Sequence, residues 1–290
     1  MINSYKYFLL ENIDSLRSDT TILSEKDFLY NLKNNCKEFS FDDKPIWRNS
    51  NLEDSYYLID PLKYKRKSIN ISNYYTLLID NSPYWKEYPK RCNSLIALLD
   101  GQEFIYGKSL YRVIPFDNAM FGVAPSDDLW FSFYNLVDNF NIKLKDLVTF
   151  IKIINKNINI EINDDDFNIF KTDIKKLEDF IKNKINLEKI NINLDIIEFQ
   201  YFFNKYYRLL FKLQKELISG GNFIDFINNY LKPEDNNFEL LNYKQLIKRN
   251  IFKYKNKNDF NQIINGNEVW TDSKCLLIHD DNIQNIKRKI

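Results

Sequence analysis

Residues 88–130 read YPKRCNSLIALLDGQEFIYGKSLYRVIPFDNAMFGVAPSDDLW, and the fold is decided there. The stretch holds three of the six glycines and three of the seven prolines of a 290-residue chain. SLIALL (94–99), LYRVIP (110–115) and MFGVAP (120–125) are short apolar runs closed by Asp-Gly, Pro115 and Pro125. Such runs, β-branched or aromatic and bounded by turn residues, read as strands. The Asp-Asn turn at 117–118 predicts that the second and third form a hairpin or lie side by side.

Two smaller islands share this character. SFDDKPIW (40–47) is a turn running into an extended segment that Arg48 ends. NGNEVWTDSKCLLIHDD (265–281) holds two short apolar runs, EVW and CLLI, with TDSK between them at hairpin length. Trp47, Trp85, Trp130 and Trp270 all lie in or beside the islands. A terminal hairpin with so little apolar surface is not stable alone. Residues 258–290 are therefore expected to return to a sheet begun within residues 1–132.

The rest has helical periodicity. Ser24 and Asp27 open a segment in which Phe28, Leu29 and Leu32 recur at helical spacing. Ser72 is placed to cap a helix carrying Tyr75, Leu78 and Ile79. Ser126-Asp127-Asp128 reads as an N-cap with acids in the first turn, so the two aspartates are assigned to a helix start and not to catalysis. Leu144, Leu147, Val148, Ile151 and Ile154 form one stripe, and Phe167, Phe170, Ile174, Leu177 and Ile181 another. A long apolar helix over 195–218 ends at Gly220-Gly221, another stops before Pro233, and 237–252 reads as a final amphipathic helix. The fold class is thus α+β: a split mixed or antiparallel sheet with residues 133–257 as a helical insertion or second lobe.

Composition bounds the function. Hydrophobic residues make up 44% and aromatics 16%, enough for a substantial core. Lys and Arg number 41 against 40 Asp and Glu, so no global charge points to nucleic acid. Three cysteines without CxxC spacing argue against a disulfide framework or a zinc site, and one histidine, His279, removes multi-histidine metal sites. No metal is expected. No signal peptide and no membrane-length apolar run is read, so a cytoplasmic or virion-associated protein without a membrane partner is expected.

Each island sets one polar residue by a strand: Arg48, Ser94 and Glu268. An arginine on a first strand, a serine on a middle one and a glutamate on a late one resembles the order of the ADP-ribosyltransferase superfamily. PIWRN is similar to the family's aromatic-arginine strand, RCNSLIALL…FIYGKSLYRVIP to its serine-strand block, and NGNEVW to the motif in which a glutamate opens a strand. The resemblance covers residues 45–130 and 263–279. Asn49 stands where the family often has glycine. Gly266 stands where arginine-modifying members have Glu or Gln, which points away from arginine as acceptor.

The resemblance implies a mono-ADP-ribosyltransferase that takes NAD as substrate and needs no metal. Arg48 would hold the pyrophosphate, Ser94 the ribose or Glu268, and Tyr106 the nicotinamide face. Glu268 would stabilise the oxocarbenium-like sugar as the nicotinamide bond breaks. The acceptor, protein or nucleic acid, stays open. Two other readings stand beside it. One is a catalytically inactive structural or interaction protein, such as a virion component, whose helices dock a protein partner. The other is a nucleic-acid-binding protein using the basic runs at 64–67, 253–257 and 286–289.

Overall fold

The computed structural model describes residues 20–66, 73–101, 108–157, 174–184, 196–249 and 266–290. Tyr106, Ser72, Phe167, Phe170 and the basic run 253–257 lie outside them. The chain divides into two compact units. Met1–Asn70, Trp85–Ser132 and Asn237–Ile290 form one, and Ile71–Tyr84 with Phe133–Asn236 the other.

The first unit is a nine-stranded sheet whose pairings are all antiparallel. Its strands are β1 (Thr20–Ile22), β2 (Ile46–Ser50), β3 (Tyr56–Ile59), β4 (Leu95–Leu99), β5 (Ser109–Pro115), β6 (Met120–Val123), β7 (Glu239–Asn242), β8 (Asn267–Thr271) and β9 (Cys275–His279). They run in the order β1-β3-β9-β5-β2-β4-β8-β6-β7. The α+β class holds, and the C-terminal strands do enter the sheet.

Neither expected hairpin exists. Strands β5 and β6, and likewise β8 and β9, are separated by three others. This order forces the sheet to fold back on itself. Four strand spacings span about 19 Å in a flat sheet. The link from Thr271 to Cys275 reaches at most about 14 Å. Residues from both arms accordingly share one core: Tyr57, Ile59, Tyr111, Val113 and Leu277 with Leu95, Ala97, Leu99, Phe121, Val123 and Val269. The alternate residues of β3, β5 and β9 face outward onto α1 (Glu25–Asn35), whose Phe28 and Leu32 cover them, and onto Ile283 and Ile286. Ser24 caps α1 by accepting from Asp27 N at 3.1 Å, as its sequence predicts. Cys36 and Cys275 are buried free thiols, and burial pushes Cys36 up to about 12.

The segment read as a final helix is instead β7 followed by a short helix. That helix runs Tyr243–Lys248, and Asn242 and Gln245 close a capping box at its start. The strand is decided by its partner, since Met120 to Val123 of β6 pair with Asn242 to Glu239. Nor does a helix start at Ser126. A 3-10 turn, Leu129–Phe131, comes first, and the helix begins at Tyr134.

The second unit is helical: α2 (Tyr74–Asn81), α3 (Tyr134–Phe140), α4 (Leu144–Asn157), α5 (Ile174–Lys184), α6 (Ile196–Ile218) and α7 (Phe223–Tyr230). Tyr243–Lys248 and Ile283–Lys287 of the first unit are α8 and α9. On α6, Phe203, Tyr206, Leu209, Leu210, Leu213 and Leu217 form the buried stripe that the 3.6-residue period requires. Gln214 donates to Ile181 O on α5 at 2.9 Å, and Gly220 leaves α6 at φ +93°. Asn236 ties the end of the unit, donating to Tyr230 O and Lys232 O and accepting from Asn135 N.

Candidate functional site

Strand β8 lies between β4 and β6, and its five residues are all buried. Leu98 of β4 faces Trp47 of β2 on one side and Glu268 of β8 on the other. Directly paired residues project to the same face. Trp47, Leu98 and Glu268 therefore share a face, and Arg48, next to Trp47, lies on the opposite one. Arg48 pairs with Tyr111, a member of the inner core.

The β2–β4 ladder has only two pairs, Ile46↔Leu99 and Trp47↔Leu98. Beyond them β2 stays with β5, while β4 stays with β8 through Leu95↔Thr271. Arg48 Nη1 donates to Ile96 O on β4, so a guanidinium joins the strands where their backbones part. Ser94 is also buried, and its hydroxyl donates to Lys90 O at 2.7 Å. It immediately precedes β4, four extended residues from Leu98 and so about 13 Å from the row of Glu268. The three strands named by the motifs are neighbours, β2-β4-β8, but Arg48, Ser94 and Glu268 do not converge. Tyr106 lies outside the described residues.

What surrounds Glu268 is different. Its Oε1 takes Arg91 Nη1 at 2.5 Å, and its Oε2 accepts from Leu129 N at 3.3 Å. Its backbone is held as well: its N–H donates to Ser126 O, and its carbonyl accepts from Ala124 N, both at 2.8 Å. Arg91 stands in the 3-10 turn Arg91–Asn93 before β4, with its guanidinium carbon 5.0 Å from the Trp270 ring centroid and 5.8 Å from that of Trp130. Exposure is 0% for Arg91, 1% for Glu268 and 4% for Asp128.

Asp128 is the residue that the sequence reading underrated. It does cap the turn at Leu129, its Oδ1 accepting from Trp130 N at 2.8 Å. It is also buried, one residue before the Leu129 N–H that reaches Glu268. Burial, and then the Glu268 charge, hold its carboxyl well above the usual carboxylate range. The Ser126 and Ser132 hydroxyls lie 2.7 Å apart, and each is within hydrogen-bond reach of Asp128 O, so their two protons are shared among three contacts. Local sequence marked it only as an acid in a first helical turn behind Ser126. The proximity to Glu268 comes from a pairing 140 residues apart along the chain, roughly, and leaves no local trace.

An aromatic wall backs the cluster. Trp270 packs on Trp85, Tyr88 and Phe238 at centroid distances of 6.2–6.3 Å, and its Nε1 donates to Pro89 O at 2.9 Å. Gly122, paired with Trp270, makes room for the indole: a Cβ there would sit 2.2 Å from the ring.

In the basic runs 64–67 and 286–289 the described residues are mixed, with Lys65, Lys287, Arg288 and Lys289 exposed. Lys287 pairs with Asp42 and Lys289 with Glu25, while Arg66 is buried. Among the described residues, no group of three or more His, Cys, Asp or Glu side chains is placed to hold a metal ion. No described helix is long and apolar enough to cross a membrane. No protein-family model, curated protein or solved structure matches the chain.

Proposed function

We propose that the chain is a structural or interaction protein. It keeps a split-sheet scaffold like that of the ADP-ribosyltransferases without their chemistry, and it docks a protein partner through its helical unit. The observation that carries this reading is the commitment of Glu268. Its carboxylate is held by Arg91 and Leu129 N inside a buried cluster, on the sheet face opposite Arg48. A carboxylate that stabilises an oxocarbenium sugar must face the ribose. Glu268 would first have to leave a buried ion pair, which costs roughly 3–5 kcal/mol when one partner is stranded. The helical unit does offer contact area: Tyr207, Phe211 and Ile218 are exposed along one side of α6, and the first two rings stack at 6.2 Å.

The test is incubation with labelled NAD and a lysate, wild type beside Glu268→Gln. The expected result is no nicotinamide release and no labelled acceptor with either protein. A second reading, the NAD-dependent transferase, draws support from the adjacency of β2, β4 and β8 and from the parting of β2 and β4 after Trp47. Label transferred by the wild type and lost in Glu268→Gln would overturn the first reading in favour of the second.

A further inference from the structure

We propose that Arg91, Glu268 and Asp128 form a one-proton latch: with the proton in place, the 126–132 segment is fastened to β8, and its loss loosens the segment. The argument begins with charge. Arg91 is bonded to Glu268, whose other oxygen is reached by the N–H of Leu129, and the buried Asp128 is the residue before that leucine, so two buried carboxyl groups stand by one buried guanidinium. An unbalanced charge is costly in a site with so little water, so an acid pair facing one cation retains a proton.

Geometry says which acid keeps it. Glu268 has the direct bond to Arg91. Asp128 has a backbone N–H, that of Trp130, on one oxygen. The proton therefore sits on Asp128. Its carboxyl is raised by burial first and by Glu268 second, with Arg91 opposing more weakly.

Geometry also says which side yields. Glu268 is in β8, a central strand paired on both edges. The 126–132 segment is a bend and a 3-10 turn, held to β8 by Ser126 O and Leu129 N. When Asp128 ionises, two like charges face each other across those bonds, and the irregular segment has less to hold it than the strand has. Trp130 lies in this segment and Trp270 on β8, so the indoles flanking Arg91 report the separation.

The experiment is infrared and tryptophan fluorescence titration of the whole chain. The wild type is expected to show the carbonyl band of a neutral carboxylic acid at neutral pH. That band should fade as the pH is raised, in step with a fluorescence change. Asp128→Asn, which preserves the acceptor for Trp130 N, should lack this band and give flat fluorescence over the same range. Asp272, also raised by burial, can contribute a band of its own that this variant retains. Glu268→Gln removes the like charge, so its transition should shift to lower pH. Absence of a neutral-acid band in the wild type, or its full persistence in Asp128→Asn, would overturn the proposal. So would a band that titrates with no fluorescence response. Should a variant fail to fold, the wild-type band and its coincidence with fluorescence decide the matter.

Discussion

Gly122 and Gly266 show how single residues serve this sheet. Opposite Gly122 the Trp270 indole lies flat across the strand, and any Cβ would collide with a ring that is itself fully buried. Gly122→Ala is expected to lower stability by about 1–3 kcal/mol, read from a urea midpoint. Gly266 has φ +99°, and a Cβ there would lie 2.7 Å from Leu99 O. That neighbour is backbone and has little room to retreat. Gly266→Ala should therefore cost about 1–3 kcal/mol from strain alone, before the collision is counted. This also gives a physical reason for glycine at a position that the family resemblance marked only as a departure. At Arg91 the expected loss is larger. Arg91→Ala strands the buried Glu268 carboxylate and should cost roughly 3–5 kcal/mol. Asp128→Asn, which keeps the cap, should cost far less at neutral pH, and a result in the reverse order would contradict the assignment of the proton.

Among the elements, α8 carries more than its six residues suggest. It begins with the Asn242–Gln245 capping box and ends at Arg249. The Arg249 guanidinium holds Glu239 of β7 at 2.5 and 3.2 Å and reaches Asn267 Oδ1 of β8 at 3.2 Å. A helix this short has little intrinsic stability, so its cap and its packing decide whether it forms. Asn242→Ala should cost about 1 kcal/mol, seen as a lower thermal midpoint. The same stretch shows where local reading stops. Glu239-Leu240-Leu241-Asn242 is poor in β-formers, and the leucines fit a helical stripe as well as a strand. Pairing with β6 overrides that local preference. On α6, by contrast, more than six turns of consistent period leave one solution, and the structure agrees.

Across the whole molecule, Trp47, Trp85, Trp130 and Trp270 all belong to the sheet unit. Fluorescence thus follows that unit, while far-ultraviolet dichroism follows mainly the helices. Leu213→Ala, at a fully buried site of α6, should cost about 2–5 kcal/mol and lower the dichroism midpoint. The accompanying shift in the fluorescence midpoint measures how strongly the units are coupled. Stability should also depend on pH through Asp128. Its folded-state affinity for a proton is raised, so its contribution is complete below the ordinary carboxylate range. The contribution declines from about pH 4 upward, by up to about 1.4 kcal/mol per pH unit, until the folded group ionises. A flatter profile in Asp128→Asn, from chemical denaturation at a series of pH values, is the expected outcome.

The sequence by itself determined the helices with long periods, the caps at Ser24 and Gly220, the three strand-bearing islands and their membership in one α+β sheet. These follow from short-range sterics and from the spacing of apolar residues, which a single strand of text contains. Only the tertiary structure decided that β5 does not pair with β6, nor β8 with β9, because short links can also cross between the arms of a folded sheet. It alone placed Arg48 and Glu268 on opposite faces, since a face depends on the register with a partner far along the chain. It alone showed that Asp128, read as a first-turn acid, is buried and that the next residue's N–H reaches Glu268. A carboxyl group's proton affinity is set by what surrounds it in space, and burial beside Glu268 is a property of the assembled fold.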